Sequence, residues 1–350
     1  IFFMNKISQK KVLVGVAAGT AISLALYKLY RHLTTKKEST SSEIVSFKTV
    51  DFGSEDYQKI RNEQLIRNIQ FFGEDNQEKI CKSFVIIVGM GGVGSHVFTS
   101  LVRSGVGKLR IIDFDRVTLS SLNRHAFATR EDVGKSKVAC AVEFAKKIFP
   151  HLEVEYIEEF LSKPHIERML EGKPDYVVDC IDNIDAKTDL VTYCVKNNIK
   201  IIAAGGAGMK ADPTMIQIRD ISESKYDDLS RALRIKLKKN KIESGVPVIY
   251  SIERTERELL PLKEHQEKDP DNFRVVENYR VRIVPVLGTM PALMAYAIAS
   301  YVLCNLAGQP YKPHVIEDVK FNNYIWLNQT LINNEKKRAG PDIEINFDIE

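Results

Sequence analysis

A glycine-dense turn, Gly89-Met90-Gly91-Gly92-Val93-Gly94-Ser95, follows the apolar run Phe84-Val85-Ile86-Ile87-Val88. Glycines at this density let the backbone turn tightly and approach a bound group closely. A helix starting near Ser95 would point its unpaired N–H groups at an anion. The next apolar run, Leu109-Arg110-Ile111-Ile112, ends at Asp113, which lies 113 − 89 = 24 residues beyond Gly89. That separation is near the ~20 residues between glycine turn and ribose-binding carboxylate in a dinucleotide fingerprint. The chemistry these residues support is nucleotide binding, and taken alone they leave NAD and ATP equally open.

Further polar groups follow other strand-like runs. They are Asp115, the loop Asn123-Arg124-His125, Val133-Gly134 with Lys137, and Asp179-Cys180-Ile181-Asp182-Asn183. The elements that must position them read as strands over Leu152–Ile157, Tyr176–Cys180 and Lys200–Ala204, with helices up to Ile148 and over Ala186–Asn197. Repeated strand–helix units predict an α/β fold with a doubly wound, mostly parallel sheet, whose ligands sit at the carboxyl ends of the strands. The glycine turn, Asp113, Asp182 and Gly205 all follow strand ends, so they line one site. Before the turn, 56–82 is helical, and Arg61 and Arg67 there read as part of a solvated face. Later come strands at Met215–Arg219 and Val246–Ser251, with a basic segment of Arg231, Arg234, Lys236, Lys238, Lys239 and Lys241 between them. That segment is either an exposed helix face or a phosphate-backbone contact. Met290–Leu306 reads as an apolar helix close to the core.

With 44% hydrophobic and 27% charged residues, the 350-residue chain suits a globular protein. A net charge of +4 does not by itself imply nucleic acid. Five cysteines without a Cys-x-x-Cys pair argue against a disulfide framework and a structural zinc site. Val12–Tyr27 is an uncharged, mostly apolar run of 27 − 12 + 1 = 16 residues. As a helix it spans about 24 Å, against a hydrocarbon core of ~30 Å that Leu29 and Tyr30 help to fill. Lysines and Arg31 flank it, and a polar stretch isolates it from the rest. The expected organisation is a membrane anchor over 1–33, a flexible linker over 34–55, one catalytic domain over 56–330 and a polar tail over 331–350. Moderate hydrophobicity with basic flanks resembles the signal-anchors of the mitochondrial outer membrane, which would leave the domain in the cytosol.

The ordered set of glycine turn, Asp113-Phe114-Asp115, Asn123-Arg124, Val133-Gly134 with Lys137, and Asp179-Cys180-Ile181-Asp182-Asn183 resembles the adenylating enzymes. These include ubiquitin-activating, molybdopterin-synthase-activating and thiamine-biosynthesis adenylyltransferases. Within them, Gly205-Gly206-Ala207-Gly208-Met209-Lys210-Ala211-Asp212-Pro213-Thr214 and the segment Asp227–Arg234 resemble the tRNA threonylcarbamoyladenosine dehydratases, in their fungal, membrane-anchored form. The resemblance implies a ThiF-type adenylation domain that uses ATP and Mg²⁺ on a tRNA substrate, as a homodimer. It implies that Gly89, Gly91, Gly92 and Gly94 cradle the nucleotide, that Asp113 holds the ribose with Asp115 and Asn183 alongside, and that Arg124 and Lys137 meet the phosphates. It further implies that Asp182 places Mg²⁺ and that Arg67 reaches the triphosphate, often from the partner subunit. Ser121 and His125 stand where many relatives carry asparagine and glutamine.

Adenylation joins a carboxylate to the α-phosphate of ATP and releases pyrophosphate. A carboxylate with a pKa near ~4 is already ionised and needs no general base, so catalysis is alignment and charge neutralisation. Thioester-forming relatives need a reactive cysteine in or beyond Val246–Glu253; this chain has none within that segment, and Cys304 beyond it lies on the apolar late helix. A dehydratase does not require one, because the carbamoyl group of the substrate attacks its own adenylated carboxylate. Such intramolecular attack reaches effective molarities of ~10⁵ M or more. The alternatives are activation of a ubiquitin-like or sulfur-carrier C-terminus, an NAD-dependent dehydrogenase, and a tethered nucleotide-binding scaffold without chemistry.

Overall fold

The computed structural model describes residues 44–47, 55–149, 152–254, 284–314 and 319–340. The apolar run Val12–Tyr27 and its basic flanks lie outside the described residues. In chain order the strands are Val45–Phe47 (β1), Phe84–Val88 (β2), Lys108–Ile112 (β3), Glu153–Ile157 (β4), Tyr176–Asp179 (β5), Ile201–Ala204 (β6), Ile216–Asp220 (β7) and Pro247–Ser251 (β8). The helices are Glu55–Phe72 (α1), Glu74–Lys82 (α2), Gly92–Arg103 (α3), Lys137–Ile148 (α4), Ile184–Lys196 (α5), Asp228–Lys239 (α6), Thr289–Leu306 (α7) and Val319–Ala339 (α8). A four-residue helical turn at Ile166–Met169 stands between β4 and β5.

The described strands form one sheet in the order β1-β4-β3-β2-β5-β6-β8-β7. The strands from β4 to β8 run parallel, and β1 and β7 pair antiparallel at the two edges. Winding reverses between β2 and β5, which opens the crevice where such sheets bind ligands. β2 is buried at every residue because both of its faces are covered. Val85 and Ile87 pack with Phe98 and Leu101 of α3, Val138 of α4 and Ile298 of α7. Ile86 and Val88 pack with Leu190 of α5 and Leu233 of α6. This explains a continuous apolar run in place of an alternating one.

Two features depart from the sequence expectations. Val45–Phe47 belongs to the expected linker over 34–55 but adds a strand to the free edge of β4, with Val45 opposite Tyr156 and Phe47 opposite Val154. Three β-prone residues suffice once a partner edge is available. α8 is helical from 319 through 339 and so runs across position 330 into the expected tail. α7 lies against the core as expected: it is long and apolar enough to cross a membrane, but Met294, Ile298 and Val302 are buried in the same core cluster as α3.

Beneath the crevice lies an ion pair. Asp179 ends β5, and its Oδ2 accepts from Lys187 Nζ on α5 at 2.7 Å, both side chains being at most 1% exposed. Asp179 Oδ1 accepts from the backbone N–H of Ile181 at 3.0 Å. Burial pushes the Asp179 carboxyl up, and the lysine opposes that shift. Removing one partner would strand a charge, so Lys187→Met should cost about 3–5 kcal/mol. Urea unfolding should show this loss, and Asp179→Asn added to Lys187→Met should recover most of it.

Candidate nucleotide site

The crevice is organised by a backbone approach that only glycine permits. A Cβ at Gly94 would lie 1.7 Å from the Gly89 carbonyl oxygen, and one at Gly89 would lie 2.7 Å from the Cys180 oxygen. Gly89 also has φ +93°. α3 can therefore start directly on the end of β2, with Gly91 as its N-cap and Gly92 against Pro291 and Arg124. The amino end of α3, a natural anion seat, thus opens at the switch point.

Asp113, at the end of β3, holds the loop. Its Oδ2 accepts from Met90 N at 2.5 Å and its Oδ1 from Asp115 N at 2.7 Å. Burial pushes its carboxyl up, partly offset by nearby Lys137. Lys137, the first residue of α4, donates Nζ to Asp115 Oδ2 at 2.7 Å, and its backbone N–H bonds to Asp115 O at 3.1 Å. This ties a buried cation to the rim beside Asp113. A chain from Met90 through Asp113 and Asp115 to Lys137 results.

Arg124 approaches from the loop after β3. It donates Nη1 to Ser120 O at 2.8 Å and to Asn123 Oδ1 at 2.9 Å. Burial lowers its pKa, and the charge of Asp182 opposes that, so these two expected site residues are electrostatic neighbours. Asp182 is exposed just beyond β5. Among the described residues no group of three or more His, Cys, Asp or Glu side chains could cage a metal. An exposed carboxylate outside any such cluster fits Mg²⁺ arriving with phosphates and water rather than a protein-built cage. Asn183 caps α5, its Oδ1 accepting from Asp185 N at 3.0 Å and Ala186 N at 3.1 Å, so that oxygen has a structural duty.

Two elements close the mouth. Met209 N donates to Pro285 O at 2.8 Å, and Asn123 Nδ2 donates to Val286 O at 3.2 Å. The segment 284–288 therefore straps the loop after β6 to the loop after β3, across the switch point. The loop after β6 is itself pinned by Asp227. This buried carboxylate accepts from Gly206 N at 3.1 Å with one oxygen, and from Ser230 N at 2.8 Å and Ser230 Oγ at 2.5 Å with the other. It thus ties the loop to the start of α6. The signal Asp-x-x-Ser before a helix is an N-cap pattern, but nothing in its spacing reveals the second grip on Gly206.

Arg67 is not brought to this site within the chain. It is exposed on α1 and bonds to Gln70 at 2.8 Å. Nearby Gln64 donates to Ile148 O at 2.9 Å, and Leu65 packs directly on Gly105. Those contacts lie just before β4 and β3, at the amino edge of the sheet, opposite the glycine loop. None of the five cysteines is activated. Burial raises the pKa of Cys81, Cys140, Cys180 and Cys304, and pushes Cys194 up to about 12. They remain protonated packing groups at neutral pH.

A model of the ThiF family matches residues 62–340. Among curated proteins the chain is 44% identical over 264 residues to tRNA threonylcarbamoyladenosine dehydratase 2 of Saccharomyces cerevisiae, covering 72% of this chain and 59% of the relative. It is 37% identical over 272 residues to tRNA threonylcarbamoyladenosine dehydratase 1 of the same yeast, covering 75% of this chain and 62% of the relative. The aligned part thus spans about three fifths of either yeast relative. Among solved structures it resembles the Escherichia coli tRNA N6-threonylcarbamoyladenosine dehydratase in complex with ATP, with a TM-score of 0.62 and 25% identity, covering 73% of this chain and 97% of that one.

His125 offers a test of this geometry. Its Nδ1 accepts from Ala128 N at 3.3 Å, its ring meets Phe127 edge-on at 4.7 Å, and burial, reinforced by Lys137, lowers its pKa to about 4. The folded ring refuses a proton that the unfolded chain accepts, so its contribution to stability is intact above pH 6.5 and is lost as the pH falls toward about 4. His125→Gln should remove that component. The stability difference between wild type and variant should change by up to about 3 kcal/mol across this window, as read by urea titrations at a series of pH values.

Proposed function

The chain belongs to the ThiF family, and we propose that it adenylates the threonyl carboxylate of threonylcarbamoyladenosine in tRNA and cyclises it. The observation that carries this reading is a tight glycine loop at the amino end of α3, with Arg124, Lys137 and Asp182 beside it and no ionised thiol. The yeast relatives named as dehydratases and the ATP-bound bacterial structure support it.

In this account ATP lies across the switch point with its phosphates over the amino end of α3. Asp113 and Asp115 hold the ribose side, and Arg124 and Lys137 neutralise charge that builds on the phosphates. Asp182 would hold Mg²⁺, which screens the phosphate oxygens when bound. The ionised carboxylate attacks the α-phosphorus, an O–P bond forms, and pyrophosphate leaves. The carbamoyl group then attacks the acyl carbon and loses its proton, a five-membered ring closes, and AMP departs carrying one former carboxylate oxygen. Arg67 would reach a nucleotide only from a second copy of the chain, which makes a homodimer part of the proposal. The basic-flanked run Val12–Tyr27 supports a tether to the mitochondrial outer membrane, with residues 56–330 as the cytosolic catalytic unit.

Mass spectrometry of tRNA nucleosides after incubation with protein, ATP and Mg²⁺ should reveal the cyclic base. Lys137→Ala and Asp182→Asn should each slow its formation by roughly 10²-fold or more, while Cys180→Ala should retain most of the activity. A cyclic base formed at the wild-type rate by both charge variants would remove the site assignment. Pyrophosphate exchange that depends on a small carrier protein and ignores tRNA would favour carrier activation instead.

A further inference from the structure

One residue at the rim is held in a conformation that its side chain disfavours. Tyr226 has φ +58°, a left-handed backbone that is rare for bulky residues. The residue is 38% exposed, so the core gains little from it. The Arg254 guanidinium lies over that ring at 4.3 Å, and Nη2 donates to the Tyr226 hydroxyl at 2.7 Å. The backbone is gripped on either side. Lys210 Nζ donates to Tyr226 O at 3.4 Å, and the next residue, Asp227, holds Gly206 and caps α6. The aromatic–guanidinium pair is thereby fixed beside the loop after β6, two strands and about 10 Å along the sheet from the glycine loop.

From this corner α6 leads away with a cationic outer face. Ser230, Leu233 and Leu237 are buried inward, while Arg231, Ile235, Lys238 and Lys239 are exposed, followed by exposed Lys241. Two other cations of the segment are already engaged, Lys236 with Asp185 and Arg234 with Ser224. From Arg231 to Lys239 the helix rises about 12 Å, enough to meet successive backbone phosphates.

Unpaired RNA bases are recognised by stacking on aromatic rings and arginine planes, and phosphates by displacing counterions with lysine and arginine. We propose that the Tyr226–Arg254 pair is a stacking platform for an unpaired nucleotide flanking the reacting one, with the RNA backbone continuing along the exposed face of α6. The inference rests on the tRNA reading above and assigns its docking surface.

The test uses the full chain and a fluorescently labelled anticodon stem-loop RNA carrying threonylcarbamoyladenosine, with binding followed by anisotropy. Glycine suits a positive φ, so Tyr226→Gly should melt at or above the wild-type temperature and bind a fluorescent ATP analogue unchanged. It should nevertheless bind the RNA about tenfold or more weakly, while Tyr226→Phe stays near wild type. Lys238→Gln with Lys239→Gln should reduce the salt dependence of binding by about one to two counterions. Wild-type RNA affinity in Tyr226→Gly overturns the platform, and an unchanged salt slope in the lysine variant removes the α6 track. Cyclic nucleoside is measured in the same samples. Binding that requires Tyr226 without any cyclisation would keep the platform and refute the reaction. Cyclisation with indifference to Tyr226→Gly would do the reverse.

Discussion

The contact on which the crevice depends is the one between the backbones of Gly94 and Gly89. A single methyl group at Gly94 would overlap the Gly89 carbonyl oxygen, at 1.7 Å, and force α3 away from the end of β2. Much else is referred to that position. Met90 N reaches Asp113 because the loop is this tight, Asp113 in turn orders Asp115, and Asp115 fixes Lys137. Gly92 lets Pro291 of α7 and the stem of Arg124 close in from the other side. This one steric constraint therefore sets where Arg124, in the loop after β3, and Lys137, at the start of α4, stand.

Electrostatics then adds a different kind of order. The Asp179–Lys187 pair under the switch point is fully buried, and such pairs rarely stabilise a fold more than apolar residues would. Its consequence is geometric. It locks the end of β5 to α5 and so aims the loop bearing Asp182 at Arg124. On the far side of the crevice Asp227 does comparable work, tying the loop after β6 to α6. The segment 284–288 bridges the two halves by backbone bonds. Buried carboxylates and backbone bonds thus hold the loops of the mouth in place.

How much of this was legible in the sequence depended on range. The central strands were readable because burial on both faces imposes unbroken apolar runs, as in Phe84–Val88. The glycine turn and Asp113 were readable because a strand–turn–helix fixes their spacing. β1 was not, since three residues carry no periodicity and their pairing depends on a β4 edge about a hundred positions away. Arg67 shows a further limit. Its sequence distance from Gly89 says nothing of which edge of the sheet α1 packs on, and Leu65 against Gly105 places it at the opposite one. Lys187 looked like any helix lysine until its carboxylate partner was seen, and Tyr226 carries no sequence signal of its positive φ.

The central claim is that an ionised carboxylate of RNA attacks the α-phosphorus of a nucleotide gripped by this loop. Isotopic labelling tests it directly, because the bonding scheme dictates where one oxygen must go. With both oxygens of the threonyl carboxylate labelled as ¹⁸O, each turnover should yield unlabelled pyrophosphate and AMP carrying one ¹⁸O, matched one for one by cyclic nucleoside with the other. Unlabelled AMP, or ADP and labelled phosphate in its place, would contradict the account.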